Sequence, residues 1–285
     1  MRTRERPERT RFRAFVADGA DDDARLAEGA LLIAAEGADG LDVAAQLARL
    51  EGIVAKVAPA VRAASSRHAK LVALGDELWG RLGFRGNTDD YYDESNSFLS
   101  EVLTRRVGLP ITLSVVYLHV GRAAGLSLAG VGFPGHFLIR TMDAGVPLFL
   151  DPFDAGRIRT AEELGPFLLA LSGGRMRLEP EHLLPVRSRA ILVRMLSNLK
   201  ALYVGRADWF RAIDVVDRIL LLKPEAAEER RDRGALYARL GSPELAIDDL
   251  EAYLASGRPD AEARREAQAL LVALRRRAQS GMLPS

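Results

Sequence analysis

From Ala24 to about Leu82, apolar residues recur every three to four positions, the spacing of one face of a helix. Leu26, Ala30, Ile33 and Ala34 predict a first helix. Leu47, Leu50, Val54, Val57 and Val61 predict a second behind the cap residue Asp42. A third carries Leu71, Leu74, Leu78 and Leu82 and stops at Gly83, with Phe84 placed for the apolar contact that follows a glycine C-cap. The polar stretch from Arg85 to Asn96 reads as a loop holding two tyrosines, and Ser95 or Asn96 is placed to cap a short helix over Leu99, Val102 and Leu103. Gly108 and Pro110 form a hinge, since proline suits a first helical turn. The next segment, Ile111 to about Ala124, is apolar on nearly every side and must be a buried central helix.

The period then shortens. Leu128–Val131, His136–Arg140 and Leu148–Leu150 read as strands, the last two joined by a turn near Asp143-Ala-Gly145. Thr160-Ala-Glu-Glu163 has the form of a capping box, and Pro166 predicts that its helix is short. From about Leu183 the pattern is purely helical. Helices followed by an antiparallel sheet give an α+β class, with an all-α segment after it.

That last segment repeats. Tyr203, Ala212, Ile213, Val216 and Leu220 return 34 residues later as Tyr237, Ala246, Ile247, Leu250 and Leu254, which is the tetratricopeptide period. Gly234 and Tyr237 sit where a first helix needs a small residue and an aromatic, Ala212 and Ala246 where two helices approach closely, and Pro224 ends the first unit. Two units are fewer than the roughly three needed for independent stability, so Ala261 to Arg277 is expected to supply a capping helix.

Composition narrows the function classes. Residues 1–22 hold six arginines among acidic and small residues and read as a disordered tail, or alternatively as a basic arm for an acidic partner. Over the whole chain 40 basic residues face 39 acidic ones, so no net charge draws it to nucleic acid or an anionic membrane. No apolar run approaches the roughly 18–20 residues that span a bilayer, and the charged N-terminus is no secretory signal, so a cytoplasmic location is expected. Arginine and alanine bias, with only four lysines, suggests a GC-rich bacterial genome. His68, His119, His136 and His182 are never at short ligand spacing with one another, so no metal or other cofactor is expected; His119, in the apolar helix, reads as a core residue. The absence of cysteine excludes disulfides, thiolate metal sites and a thiol nucleophile together.

Four segments carry a resemblance: Asn96-Ser-Phe-Leu-Ser-Glu-Val-Leu-Thr-Arg-Arg, Gly108-Leu-Pro-Ile-Thr-Leu-Ser, Gly132-Phe-Pro-Gly-His-Phe-Leu-Ile-Arg140 and Leu150-Asp-Pro-Phe-Asp154. With Gly83-Phe-Arg-Gly-Asn87 and Tyr91-Tyr-Asp93, they make the chain resemble the Sir-B-one type of transglutaminase-like/tetratricopeptide proteins over roughly residues 24–270. The resemblance implies a transglutaminase-like domain over 23–180 and a tetratricopeptide-type domain over 181–280. In that superfamily a cysteine opens the buried helix, where the helix N-terminus lowers its pKa; a histidine takes its proton and an acid fixes the imidazole. His136 matches the histidine and Asp151 the acid, while the cysteine position falls on or beside Pro110, which has no nucleophile.

Two functions follow as expectations. The first is a pseudoenzyme that binds a protein or peptide as an adaptor, through its repeats and a groove lined by Asn96, Pro110, Thr112, Tyr91 and Tyr92. The second is a hydrolase or acyl transferase in which Ser114, or Thr112, works with His136 and Asp151. A hydroxyl within about 3.2 Å of His136 in a reachable cleft would favour the second, and a hydroxyl buried without access would reject it.

Overall fold

A computed structural model describes residues 7–38, 40–256 and 261–280. The chain divides into two compact units, residues 1–195 and 196–285.

The first unit begins with helices α1 (Pro7–Asp18), α2 (Leu26–Ala35), α3 (Val43–Ala63) and α4 (Arg67–Gly75). Helix α2 is apolar and buried at every position but Glu28, and α3 starts where Asp42 accepts a hydrogen bond from Ala45 N, as its sequence signals. Helix α4 runs into one π turn, Asp76–Arg81. Gly83 ends it at φ +76°, with its N–H on Trp79 O and the Phe84 N–H on Leu78 O. Next come β1 (Arg85–Gly86), α5 (Leu99–Arg105), β2 (Val107–Gly108) and the central helix α6 (Pro110–Ala123), with β1 and β2 paired in parallel. Strands β3 (Leu128–Val131), β4 (Leu138–Thr141), β5 (Phe149–Asp151) and β6 (Arg157–Arg159) follow, then α7 (Ala161–Leu171) and β7 (Pro185–Val186). The five-stranded sheet has the order β6-β5-β4-β3-β7 and is antiparallel throughout. Helix α6 packs on β3 and β4, and nearly all of its side chains are buried.

Several expectations give way. Residues 7–18 are a helix rather than a disordered tail, because Phe12 and Phe15 bury their rings; residues 1–6 of that expected tail lie outside the described residues. Neither Ser95 nor Asn96 caps α5, whose N-cap is Phe98; Asp93 instead caps a 3-10 turn over Glu94–Ser97. Pro166 does not cut α7 short: the helix continues to Leu171. The first unit extends beyond residue 180, because Pro185 and Val186 pair with Val131 and Gly130 and add an edge strand to the sheet. His119 is not a core residue, since its Nε2 reaches Glu51 Oε1 at 2.8 Å near the surface.

Helix α8 (Ser188–Gly205) carries the boundary between the units. The second unit continues with α9 (Trp209–Leu222), α10 (Ala227–Arg239), α11 (Pro243–Ala255) and α12 (Ala261–Ser280). Helices α9 and α11 begin 34 residues apart, and so do α10 and α12. The expected capping helix thus occupies the first-helix register of a third unit, with Leu271 where Tyr203 and Tyr237 stand in the earlier ones. Ala212 and Ala246 are fully buried, and a Cβ at Gly234 would lie 3.2 Å from Ala246 O. Arg233 clasps three helices by binding Asp217 on α9 and Asp249 on α11. Its hydrogen bond to Asp249 is the main reason that its guanidinium is held still more firmly charged.

Candidate functional site

The register of β4 and β5 sets the geometry. Ile139 pairs with Leu150, so Asp151 at the end of β5 comes opposite Leu138, and His136, two residues earlier, lies on the same face. His136 precedes β4, in a turn that Gly135 makes possible at φ +68°. Arg194 Nη2 pins this turn by donating to Phe133 O (2.8 Å) and His136 O (2.6 Å).

His136 Nε2 stands 2.9 Å from both carboxylate oxygens of Asp151. Asp151 Oδ1 also accepts from Phe153 N and Asp154 N, so the carboxylate is oriented by backbone as well. In the neutral imidazole, a carboxylate at Nε2 selects the tautomer with its proton there, which leaves Nδ1 as an acceptor. Nδ1 has no hydrogen-bond partner among the described residues and is not sealed from solvent.

Aromatic rings surround the imidazole. Phe153 and Phe167 meet it edge-on at 5.9 and 5.6 Å between centroids, Tyr91 packs on Phe153 at 6.0 Å, and Tyr92 meets Tyr91 at 5.5 Å. Phe153 fits because Gly86 has no side chain. Arg159, ion-paired with Asp154, lies over the Phe167 ring at 4.4 Å. On α6 the Tyr117 hydroxyl is buried with no hydrogen-bond partner among the described residues; desolvation, and then the Asp151 charge, push its phenol well above the ordinary value.

The other expected site residues divide. Asn96 is buried and clamps the tyrosine loop: its Oδ1 accepts from Asn87 Nδ2, and its Nδ2 donates to Asp90 O and Tyr91 O. Pro110 is the first residue of α6 and buried. Thr112 Oγ1 donates to Asn96 O at 2.8 Å and accepts from Leu109 N, and Ser114 Oγ donates to Pro110 O at 2.7 Å. Both hydroxyls are fully buried, and neither is hydrogen-bonded to His136. Tyr91 and Tyr92 are exposed on their loop. The sequence reading did not single out Phe153, Phe167, Arg194 or Tyr117. Phe153 lies inside the quoted Leu150-Asp-Pro-Phe-Asp154 segment, and Tyr117 is two helical turns from Pro110 on the same face of α6, so both were within reach of that reading. Among the described residues, no three His, Asp or Glu side chains converge as they would around a metal ion, and no helix is long and apolar enough to cross a membrane.

A sequence profile of the transglutaminase-like superfamily matches residues 44–197, and a tetratricopeptide-repeat profile matches residues 199–272. The UPF0162 protein of Xylella fastidiosa is 40% identical over 238 residues, covering 82% of this chain and 84% of that protein. That of Vibrio cholerae is 33% identical over 173 residues, covering 60% of this chain and 64% of its own length. Human F-box only protein 21 is 28% identical over 229 residues, 68% of this chain but 35% of that longer protein. No solved structure gives a significant match. With a profile spanning just over half of the chain and a relative of this identity along most of it, the chain belongs to the transglutaminase-like superfamily, among the UPF0162 proteins, and carries a tetratricopeptide-repeat region after that domain.

Proposed function

We propose that the protein is a cytoplasmic, non-catalytic adaptor that binds a polypeptide in the groove around His136 and through its repeats. A transglutaminase-like domain joined to tetratricopeptide repeats is a protein-interaction architecture. The observation that carries the non-catalytic half is the start of α6. Pro110 offers no nucleophile, and the nearest hydroxyls, of Thr112 and Ser114, are buried and donate to backbone carbonyls. A serine or threonine needs a base to take its proton, and the open Nδ1 has no such partner. The His136–Asp151 pair then serves recognition: it presents a fixed acceptor among aromatic rings.

The test pairs binding with chemistry on the purified full chain. Peptide-array binding should survive His136→Gln in part and fall with Phe153→Ala, while acyl-transfer and ester- or peptide-hydrolysis assays stay at background for both proteins. Turnover by the wild type that His136→Gln abolishes would overturn the reading.

A further inference from the structure

The loop that carries Tyr91 and Tyr92 is acidic along its whole length. From Asn87 to Ser97 it holds Asp89, Asp90, Asp93 and Glu94 and no basic residue. Asp93 is paired with Arg105 at 2.7 Å. Asp89 and Asp90 are exposed, and among the described residues their carboxylates have no ion pair. Beside them the two tyrosine rings meet at 78°, forming a corner with Tyr91 39% and Tyr92 76% exposed. Such a corner offers π faces to a cation. Ring contacts through Phe153 link the corner to His136, whose Nδ1 is an acceptor in the neutral imidazole that carries its proton on Nε2 toward Asp151. Two carboxylates without an ion pair among the described residues thus neighbour the tyrosines in sequence, and ring contacts continue from Tyr92 and Tyr91 through Phe153 to His136. Arg194, whose charge acts on Tyr91, is held by two carbonyls and lies over the Phe137 ring.

We infer that this surface takes a basic segment of polypeptide, with an arginine or lysine side chain in the Tyr91–Tyr92 corner beside Asp89 and Asp90 and an N–H donor directed at His136 Nδ1. The inference rests on the reading of the groove as a polypeptide-binding surface and adds the chemical class of its occupant. The sign of the free charge selects among partners: a nucleic acid or an anionic lipid surface would meet Asp89 and Asp90 as like charges.

The full chain is titrated with a fluorescein-labelled peptide of alternating arginine and glycine, and with the same peptide carrying glutamine or glutamate instead. Binding is read by fluorescence anisotropy, and the His136 ring by ¹⁵N NMR. The arginine peptide should bind tightest, weaken as salt rises, and shift the Nδ1 resonance. Tyr92→Ala should weaken it by about two- to fivefold, the loss of one exposed cation–π contact. Asp89→Asn with Asp90→Asn should cost a similar factor and remove most of the salt dependence. Both variants alter exposed side chains only, and unchanged melting will show that they fold. Equal binding of all three peptides, still lost in Phe153→Ala, would overturn the basic class while leaving the groove a binding surface. Binding of none of them overturns this inference and counts against the groove reading itself.

Discussion

Phe153 lies over Gly86 so closely that a Cβ on the glycine would stand 2.5 Å from the ring. One missing side chain on a two-residue strand therefore sets the position of the ring that joins His136 to the tyrosine loop. Gly86→Ala should push Phe153 out of place and destabilise the protein by about 1–3 kcal/mol, the usual cost of overpacking. Thermal melting gives the cost, and near-ultraviolet circular dichroism reports the ring's surroundings. A variant unchanged in both would mean that the contact does not position Phe153.

The repeat offers a second test of close approach. Ala246 is fully buried on α11 against Gly234 on α10. Ala246→Trp must separate these helices, at a cost of about 1–3 kcal/mol or more. Melting should fall and limited proteolysis should cut first within residues 227–255. A tryptophan variant that melts and resists protease like the wild type would mean that the 34-residue register does not mark helix crossings.

Much of this fold can be read from the sequence, for physical reasons that differ by element. Helix α6 is legible because a run such as Leu113, Val115, Val116 and Leu118 has no polar side to expose. The repeat is legible because Tyr203 and Tyr237, or Ala212 and Ala246, must satisfy the same packing twice. Helix α1 is not, since it buries only Phe12 and Phe15 among charged neighbours and its apolar face is too sparse to show a period. The π turn at Asp76–Arg81 leaves no mark either, because Leu74 and Leu78 keep helical spacing through it. At the candidate site, His136 and Asp151 come together through strand register, which short apolar runs signal well. Phe167 and Arg194 reach the same place from α7 and α8, dozens of residues away, and nothing local in their segments points there.

Asp93 predicts a pH dependence. Burial alone would raise its pKa, but the Ser95 N–H and Arg105 outweigh burial and hold the carboxyl below its ordinary value of 3.8. A carboxyl depressed in the folded state adds stability that is fully present above the unfolded value and is lost as pH falls through the folded one. Asp93→Asn should therefore be less stable than wild type at neutral pH, with the gap closing below pH 3.8. Urea unfolding of both proteins across that range measures it. A gap that stays constant with pH would show that the Asp93 charge contributes nothing to the loop.

The last prediction concerns Pro110, on or beside which the resemblance to the superfamily puts the thiol. Pro110 opens α6, and Tyr117, two turns on and on the same helix face, feels the charge of Asp151. Position 110 thus stands about 10 Å from Tyr117 along the same helix face, and it is the resemblance to the superfamily that puts a side chain there against the histidine. A thiol at a helix N-terminus is acidified by the unpaired N–H groups there, and an imidazole base nearby acidifies it further. Pro110→Cys keeps a small residue at the helix start, and the helix can tolerate the loss of proline, whose role there is a fixed φ. In a chain with no other cysteine, this thiol can be followed without interference. Its alkylation by iodoacetamide should persist well below the ordinary thiol pKa of about 8.5, and His136→Ala in the same background should move that dependence upward. A shift on removing His136 would mean that the groove retains the alignment of a thiol enzyme and lacks only the nucleophile. Alkylation with an ordinary thiol profile, indifferent to His136, would mean that α6 and the histidine turn have drifted apart, and the groove would then have to be understood as a binding surface with no catalytic geometry left in it.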